Sequence, residues 1–219
     1  MHQRVYDYLQ LNGSLCETQY GFRKTRFCEH ALLTAQNELL QALSQKKISL
    51  LLLIDFSKAF DMVNHDILLD KLNHYGIRGV VNNWFESYLK GREQYVSVNG
   101  NYSSRKSIKY SVPQGSILGP LLFIIYINDL PNISQLARYI LYADDANIII
   151  TGYTIQEVHE KFNTVSSALI QWVRDNELLL NVKKTNYMIF TNRRHVDLGN
   201  VAVLKWEKRQ LNVPVLQGF

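Results

Sequence analysis

Apolar residues recur along this chain in a few rhythms, and these mark out most of its elements. From Phe27 to Gln45 the positions Cys28, Ala31, Leu32, Ala35, Leu39 and Ala42 fall at three- and four-residue steps, the spacing of a helix with one apolar face. The run ISLLLLID that follows is apolar at nearly consecutive positions and is flanked by Lys46–Lys47 and Asp55. It predicts a short strand covered on both faces, with Asp55 at its carboxyl end. Ile155, Val158, Phe162, Val165, Leu169 and Trp172 share one face of a long helix that should pack on a sheet.

Between these segments the punctuation is as informative as the period. Asp66 is an N-cap candidate for a helix through ILLDKLNHYG that stops at Gly76. A second helix, with Val80, Val81, Trp84, Phe85, Tyr88 and Leu89, stops at Gly91, and its spacing assigns Trp84 and Tyr88 to core packing. From Glu93 to Val112, alternating strand formers surround Asn99–Gly100, a strong hairpin signal, and predict a β-ribbon. PQGSILGP reads as a loop, and LLFIIYINDLP as a buried helix ending before Pro131. In RYILYADDANIII two strand-like runs flank Asp144–Asp145, which places both acids in a tight turn. LLLNV and YMIF, on either side of Lys183–Lys184, read as a final pair of strands, and the tail beyond Arg194 shows no period.

Composition narrows the class. The chain has 219 residues, 47% of them hydrophobic, enough to bury a proper core in one large domain or two small ones. Its longest apolar run falls far below the ~20 residues that cross a bilayer, so no membrane partner is expected. MHQRVYDYLQL lacks the pattern of a secretory signal, and an intracellular chain, nuclear or cytoplasmic, is expected. Cys16 and Cys28 form no CxxC pair, and no second His or Cys is spaced to join His65 on a metal, so His65 is read as a surface residue. Lys and Arg exceed Asp and Glu by 24 to 19, a balance that suits a polyanionic partner and equally a solvated surface.

The candidate chemistry lies in three acids. If the strand ending at Asp55 lies beside the turn carrying Asp144 and Asp145, three carboxylates gather at one edge of a sheet. Hard oxygen ligands of this kind suit Mg²⁺, and a pair of such ions can activate a hydroxyl while stabilising a leaving phosphate oxygen. Each piece has a plainer reading: Asp favours solvated turns, and Asp55 can cap the KAFD segment after it.

Five blocks occur together in order: QYGFRKTR at 19–26, LLLIDFSKAFDMVNHDILL at 51–69, SVPQGSILGPLLFIIYINDLP at 111–131, LYADDANI at 141–148 and LLLNVKKTNYMIF at 178–190. With these blocks the chain resembles the reverse transcriptases, most closely those of non-LTR (LINE-like, jockey-type) retrotransposons. The resemblance implies an α/β (α+β) fold, a right-hand polymerase palm of antiparallel strands packed by helices. Residues 1–47 would be partial fingers, 48–191 the palm with fingers-side helices and hairpin, and 192–219 an irregular tail. No thumb or primer-grip hairpin is recognised after YMIF, and the chain is expected to be truncated at both ends.

The same resemblance assigns roles. Asp55 and Asp144 would bridge two Mg²⁺ ions, with Mn²⁺ as a possible substitute, the Phe56 carbonyl completing one shell and Asp145 assisting. Phe60 stands at the steric-gate position that excludes a 2′-hydroxyl, although a core phenylalanine is its plainer reading. Gln114 would contact nucleotide and template, and Gly115 would let the backbone approach the incoming base pair. Arg23 and Lys24 resemble residues that clamp the triphosphate, and Lys184 the lysine that protonates departing pyrophosphate. The implied partners are an RNA template, a DNA primer and a dNTP. An RNA-dependent RNA polymerase is disfavoured by YADD and Phe60, while a catalytically inactive nucleic-acid-binding remnant stays open as the alternative.

Overall fold

The computed structural model describes residues 1–113 and 115–193. Gln114 and residues 194–219 of the expected tail lie outside the described residues. The helices in chain order are α1 (His2–Leu11), α2 (Cys28–Ser44), α3 (His65–His74), α4 (Val80–Leu89), α5 (Gly119–Tyr126) and α6 (Ile155–Asp175). The strands are β1 (Ile48–Ile54), β2 (Glu93–Gln94), β3 (Ser97–Val98), β4 (Asn101–Tyr102), β5 (Lys106–Ser107), β6 (Arg138–Tyr142), β7 (Asp145–Gly152) and β8 (Asn186–Phe190). They divide into two compact units, each made from separated stretches of chain: Met1–Cys16 with Lys58–Asn128, and Glu17–Ser57 with the described residues that follow Asn128.

The second of these units holds an antiparallel sheet in the order β6-β7-β1-β8. The apolar run of β1 is central, and Ile48, Leu50, Leu51, Leu52 and Ile54 are all buried. On one face Leu51, Ile140 and Ile149 pack with Ala31 of α2, joined by Ala35 and Leu39. The alternate positions Leu50, Leu52, Ile148 and Ile150 are buried on the opposite face, as strand alternation requires. Helix α6 packs against β7 and β1 through Val158, Phe162, Val165, Leu169 and Trp172. Each such side chain contributes about 1.5–3 kcal/mol by leaving water. Thr154 caps α6 by accepting from the Glu157 N–H at 3.1 Å. The expected strand in LLLNV is reduced to one bridge, Phe56 opposite Leu180.

In the other unit α3 packs on α4 and α5. The continuous apolar sequence of α5 is explained by its burial, which is complete from Leu121 to Tyr126. This helix ends at Tyr126, earlier than expected, and Pro131 sits instead in a 3₁₀ turn at Leu130–Asn132. Asn128 ties down the end of the segment that begins the chain, accepting from the Cys16 N–H and donating to the Ser14 carbonyl, both at 2.7 Å.

Three other expectations are corrected in this unit. The cap of α3 is Asn64, not Asp66: its Oδ1 accepts from the Asp66 and Ile67 N–H groups at 2.8 and 3.3 Å. His65 is buried, with Nε2 2.8 Å from the Ser111 carbonyl, so its polar edge is satisfied inside the protein. Helix α4 buries Phe85 and Leu89, while Trp84 stays 39% exposed and stacks on Tyr88 with ring centroids 5.4 Å apart. The expected ribbon forms as two short pairs, β2 with β5 and β3 with β4, turning at Asn99–Gly100. Among the described residues no helix is long and apolar enough to cross a membrane.

Candidate active site

The sheet register brings the acids together. Pairing of β1 with β7 runs from Ile48↔Gly152 to Ile54↔Ala146, so Asp55 and Asp145 occupy the next rung on adjacent strands. Strands β6 and β7 close on the pair Tyr142↔Asp145, leaving Ala143 and Asp144 as a two-residue turn. Asp144 thus lies in the turn, as expected, and Asp145 begins β7. Ala143 takes φ +55°, a left-handed conformation in which a Cβ costs about 1–2 kcal/mol.

The charges register this crowding. Asp145 is open to solvent on one side, yet partial burial holds its carboxyl above the ordinary value of 3.8, and the neighbouring Asp144 and Asp55 push it the same way. Lys184 acts in the opposite direction. Its Nζ lies 3.8 Å from Asp55 Oδ1, and the side chain is 71% exposed, which leaves the ammonium group accessible.

The main chain beside Asp55 is fixed from the 178–185 segment. The Asn181 N–H donates to the Asp55 carbonyl and the Ser57 N–H to the Leu179 carbonyl, both at 2.8 Å. This frames Phe56 opposite Leu180 in a pair whose own N–H and C=O turn away from the partner strand. The Phe56 carbonyl is therefore turned away from the 178–185 segment. Its ring is buried and tilted against Trp172, with centroids 6.2 Å apart.

The turn itself is held by residues that periodicity did not single out. Gln19 is buried and runs parallel to β6 through its bridge to Leu141. Its Oε1 accepts from the Ala143 N–H at 3.0 Å and the Gly21 N–H at 2.7 Å, while its Nε2 donates to the Ala143 carbonyl at 3.3 Å. Gly21 lies so close that a Cβ there would stand 2.1 Å from the Ala143 nitrogen. The only sequence trace of this contact is the QYG that opens the first motif block.

The remaining expected residues are distributed as follows. Arg23 is buried, and Lys24 is exposed. Phe60, in the other unit, is half-buried and stacked on Phe123 with centroids 4.3 Å apart. Gly115, in that same unit, is exposed with φ +75°, a conformation that favours glycine. Gln114 lies outside the described residues.

The candidate donors, three carboxylates and a main-chain carbonyl, are all hard oxygen and fit a divalent cation such as Mg²⁺ in chemistry. The like charges that raise Asp145 are the kind a cation relieves. Among the described residues, no three His, Cys, Asp or Glu side chains are drawn together closely enough to hold a metal ion.

A family model described as reverse transcriptase (RNA-dependent DNA polymerase) matches residues 1–213. The chain belongs to the reverse transcriptase family. The domain is 29% identical over 201 residues to a probable RNA-directed DNA polymerase from transposon BS of Drosophila melanogaster, covering 86% of this chain and 21% of that protein. It is 30% identical over 185 residues to the RNA-directed DNA polymerase from mobile element jockey of the same organism, covering 80% of this chain and 20% of that one. This reverse transcriptase domain therefore spans about a fifth of the length of those relatives. Among solved structures it is similar to apo telomerase from Candida tropicalis truncated from its C-terminal domain, with a TM-score of 0.63 at 14% identity. That match covers 89% of this chain and 40% of the other, and it carries the fold, a polymerase palm of antiparallel strands and helices.

Proposed function

We propose that this chain is an RNA-directed DNA polymerase domain that adds deoxynucleotides to a DNA primer on an RNA template. The observation that carries the reading is the placement of Asp55, Asp144 and Asp145 on adjacent rungs of β1 and the β6–β7 turn, with Lys184 beside them. Residues 48–191 then serve as palm and 1–47 as part of the fingers.

In this reading Asp55, Asp144 and the Phe56 carbonyl hold two Mg²⁺ ions, which Mn²⁺ can replace, and Asp145 stands by as a further carboxylate. Bound there, the ions supply activation of the primer hydroxyl and neutralisation of triphosphate charge. Lys184 carries a proton at Nζ for the departing pyrophosphate, a role favoured by its exposure and its contact with Asp55. Arg23 and Lys24 bind the triphosphate. Phe60 sets its ring against the sugar, and its stack on Phe123 gives that ring a rigid backing. Gln114 and Gly115 contact the nucleotide and template.

Primer extension by the full chain on a primed RNA is the test, with Mg²⁺, Mn²⁺ or chelator and with either deoxynucleotides or ribonucleotides. Metal-dependent extension with deoxynucleotides is expected. Efficient ribonucleotide use would overturn the role of Phe60. Tight binding of the primed template without extension would mark the chain as a nucleic-acid-binding remnant.

A further inference from the structure

We propose that Gln19 is a positioning residue for the acid pair: its carboxamide clamps both main-chain polar groups of Ala143 and so fixes the turn that presents Asp144 and Asp145. This rests on the polymerase reading of the same site, but the clamp has signatures of its own.

Three observations converge on it. The turn closes with a non-glycine residue at φ +55°, so its conformation is costly and needs support. Ala143 has one N–H and one C=O, and a single buried side chain takes both, at 3.0 and 3.3 Å. The same Oε1 also accepts from the Gly21 N–H, which locks the carboxamide into the orientation that matches Ala143. Only Gln and Asn place an acceptor and a donor side by side at the end of a flexible chain, and Asn is one methylene shorter. The main chain beside it reinforces the register, with the Tyr20 N–H donating to the Leu141 carbonyl and the Leu141 N–H to the Thr18 carbonyl, both at 2.8 Å.

A side chain that only stabilised the fold would change the melting temperature and leave turnover of the folded protein alone. A positioning residue acts on the chemistry below melting. The clamp predicts that Gln19→Ala lowers kcat by about a hundredfold with little change in the dNTP KM, the scale expected when reacting groups shift by about an ångström. Exchange of the Ala143 amide proton should accelerate by about tenfold, the equivalent of one lost hydrogen bond, while Ile148 and Ile150 in β7 keep their protection. Glycine adopts the left-handed turn without strain, so Ala143→Gly in the Gln19→Ala background should recover most of the lost kcat.

The experiment compares wild type, Gln19→Ala and the double variant by steady-state primer extension, by amide exchange and by titration with Mn²⁺ alone. Gln19→Met, which keeps the side-chain volume, replaces Gln19→Ala if that variant fails to fold. Normal kcat and unchanged Ala143 exchange in a folded Gln19 variant would overturn the clamp, as would failure of Ala143→Gly to rescue. If the wild-type chain extends no primer, the polymerase reading fails by itself. The clamp is then decided by Ala143 exchange and Mn²⁺ binding: faster exchange and weaker binding in Gln19→Ala support it, and no change in either overturns it.

Discussion

The chain contains two tight hairpins that solve the same geometric problem in opposite ways. In the β3–β4 ribbon the turn residues Asn99 and Gly100 have φ +50° and +81°, conformations that Asn and Gly adopt at low cost, and the flanking residues are exposed. In the β6–β7 hairpin the corresponding place is taken by Ala143 and Asp144, with Ala143 left-handed. The ribbon closes through its own local preference. The acid turn closes because Gln19 and Gly21, more than 120 positions away in sequence, hold it shut. On the proposed reading, a turn whose residues serve chemistry obtains its stability from elsewhere in the fold.

Substitutions can break this contrast at several strengths. Asp144→Asn should have the largest effect, lowering metal-dependent primer extension on the order of a thousandfold, since on the proposed reading it removes a charged metal ligand without changing size, while circular dichroism and melting stay near wild type. Retained extension would remove Asp144 from the site. Next in size, Gly21→Ala forces a Cβ to within 2.1 Å of the Ala143 nitrogen and should destabilise the fold by about 3 kcal/mol in urea titration. Gly100→Ala places a Cβ at φ +81° but in open space, so a loss of about 1 kcal/mol confined to the ribbon is expected. Amide exchange near Asn101 would report that loss, with extension by the acid site unchanged.

The smallest effect concerns pH. The folded-state pKa of Asp145 is raised, so the folded chain binds this proton more tightly than the unfolded chain does. Its charge therefore costs stability above the raised pKa, and that cost fades as pH falls toward the ordinary value of 3.8. Asp145→Asn should melt slightly higher than wild type at pH 7 in the absence of metal, and the two should converge near pH 4. A melting difference that grew on acidification would contradict this account.

Much of this architecture was readable wherever one short window settles the outcome. The run 48–54 and the stripe from Val158 to Trp172 declare strand and helix by period, and Asn99–Gly100 declares its turn. The acids were legible because strand ends and a turn can be placed by pattern alone. What escaped depended on partners distant in sequence. His65 has no local sign that Ser111 will take its ring nitrogen, and nothing near Gln19 points to Ala143. Helix α4 is apolar on two flanks, so spacing could not decide that Phe85 and Leu89 turn inward while Trp84 and Tyr88 stack outside. At the start of α3 two capping residues stand two positions apart, and the choice of Asn64 depends on where the first helical carbonyl falls.

On the proposed reading, in which the Phe60 ring faces the sugar, its stack on Phe123 has a consequence for how a sugar is chosen. Phe123 belongs to a helix that is buried along nearly its whole length, so the height of the Phe60 ring is set from behind by the volume of the hydrophobic interior. On that reading, discrimination between sugars becomes adjustable through Phe123, a residue of the hydrophobic interior. Trimming Phe123 to leucine would let the ring settle back and admit bulkier sugars, with every group that faces the substrate left in its original chemical form.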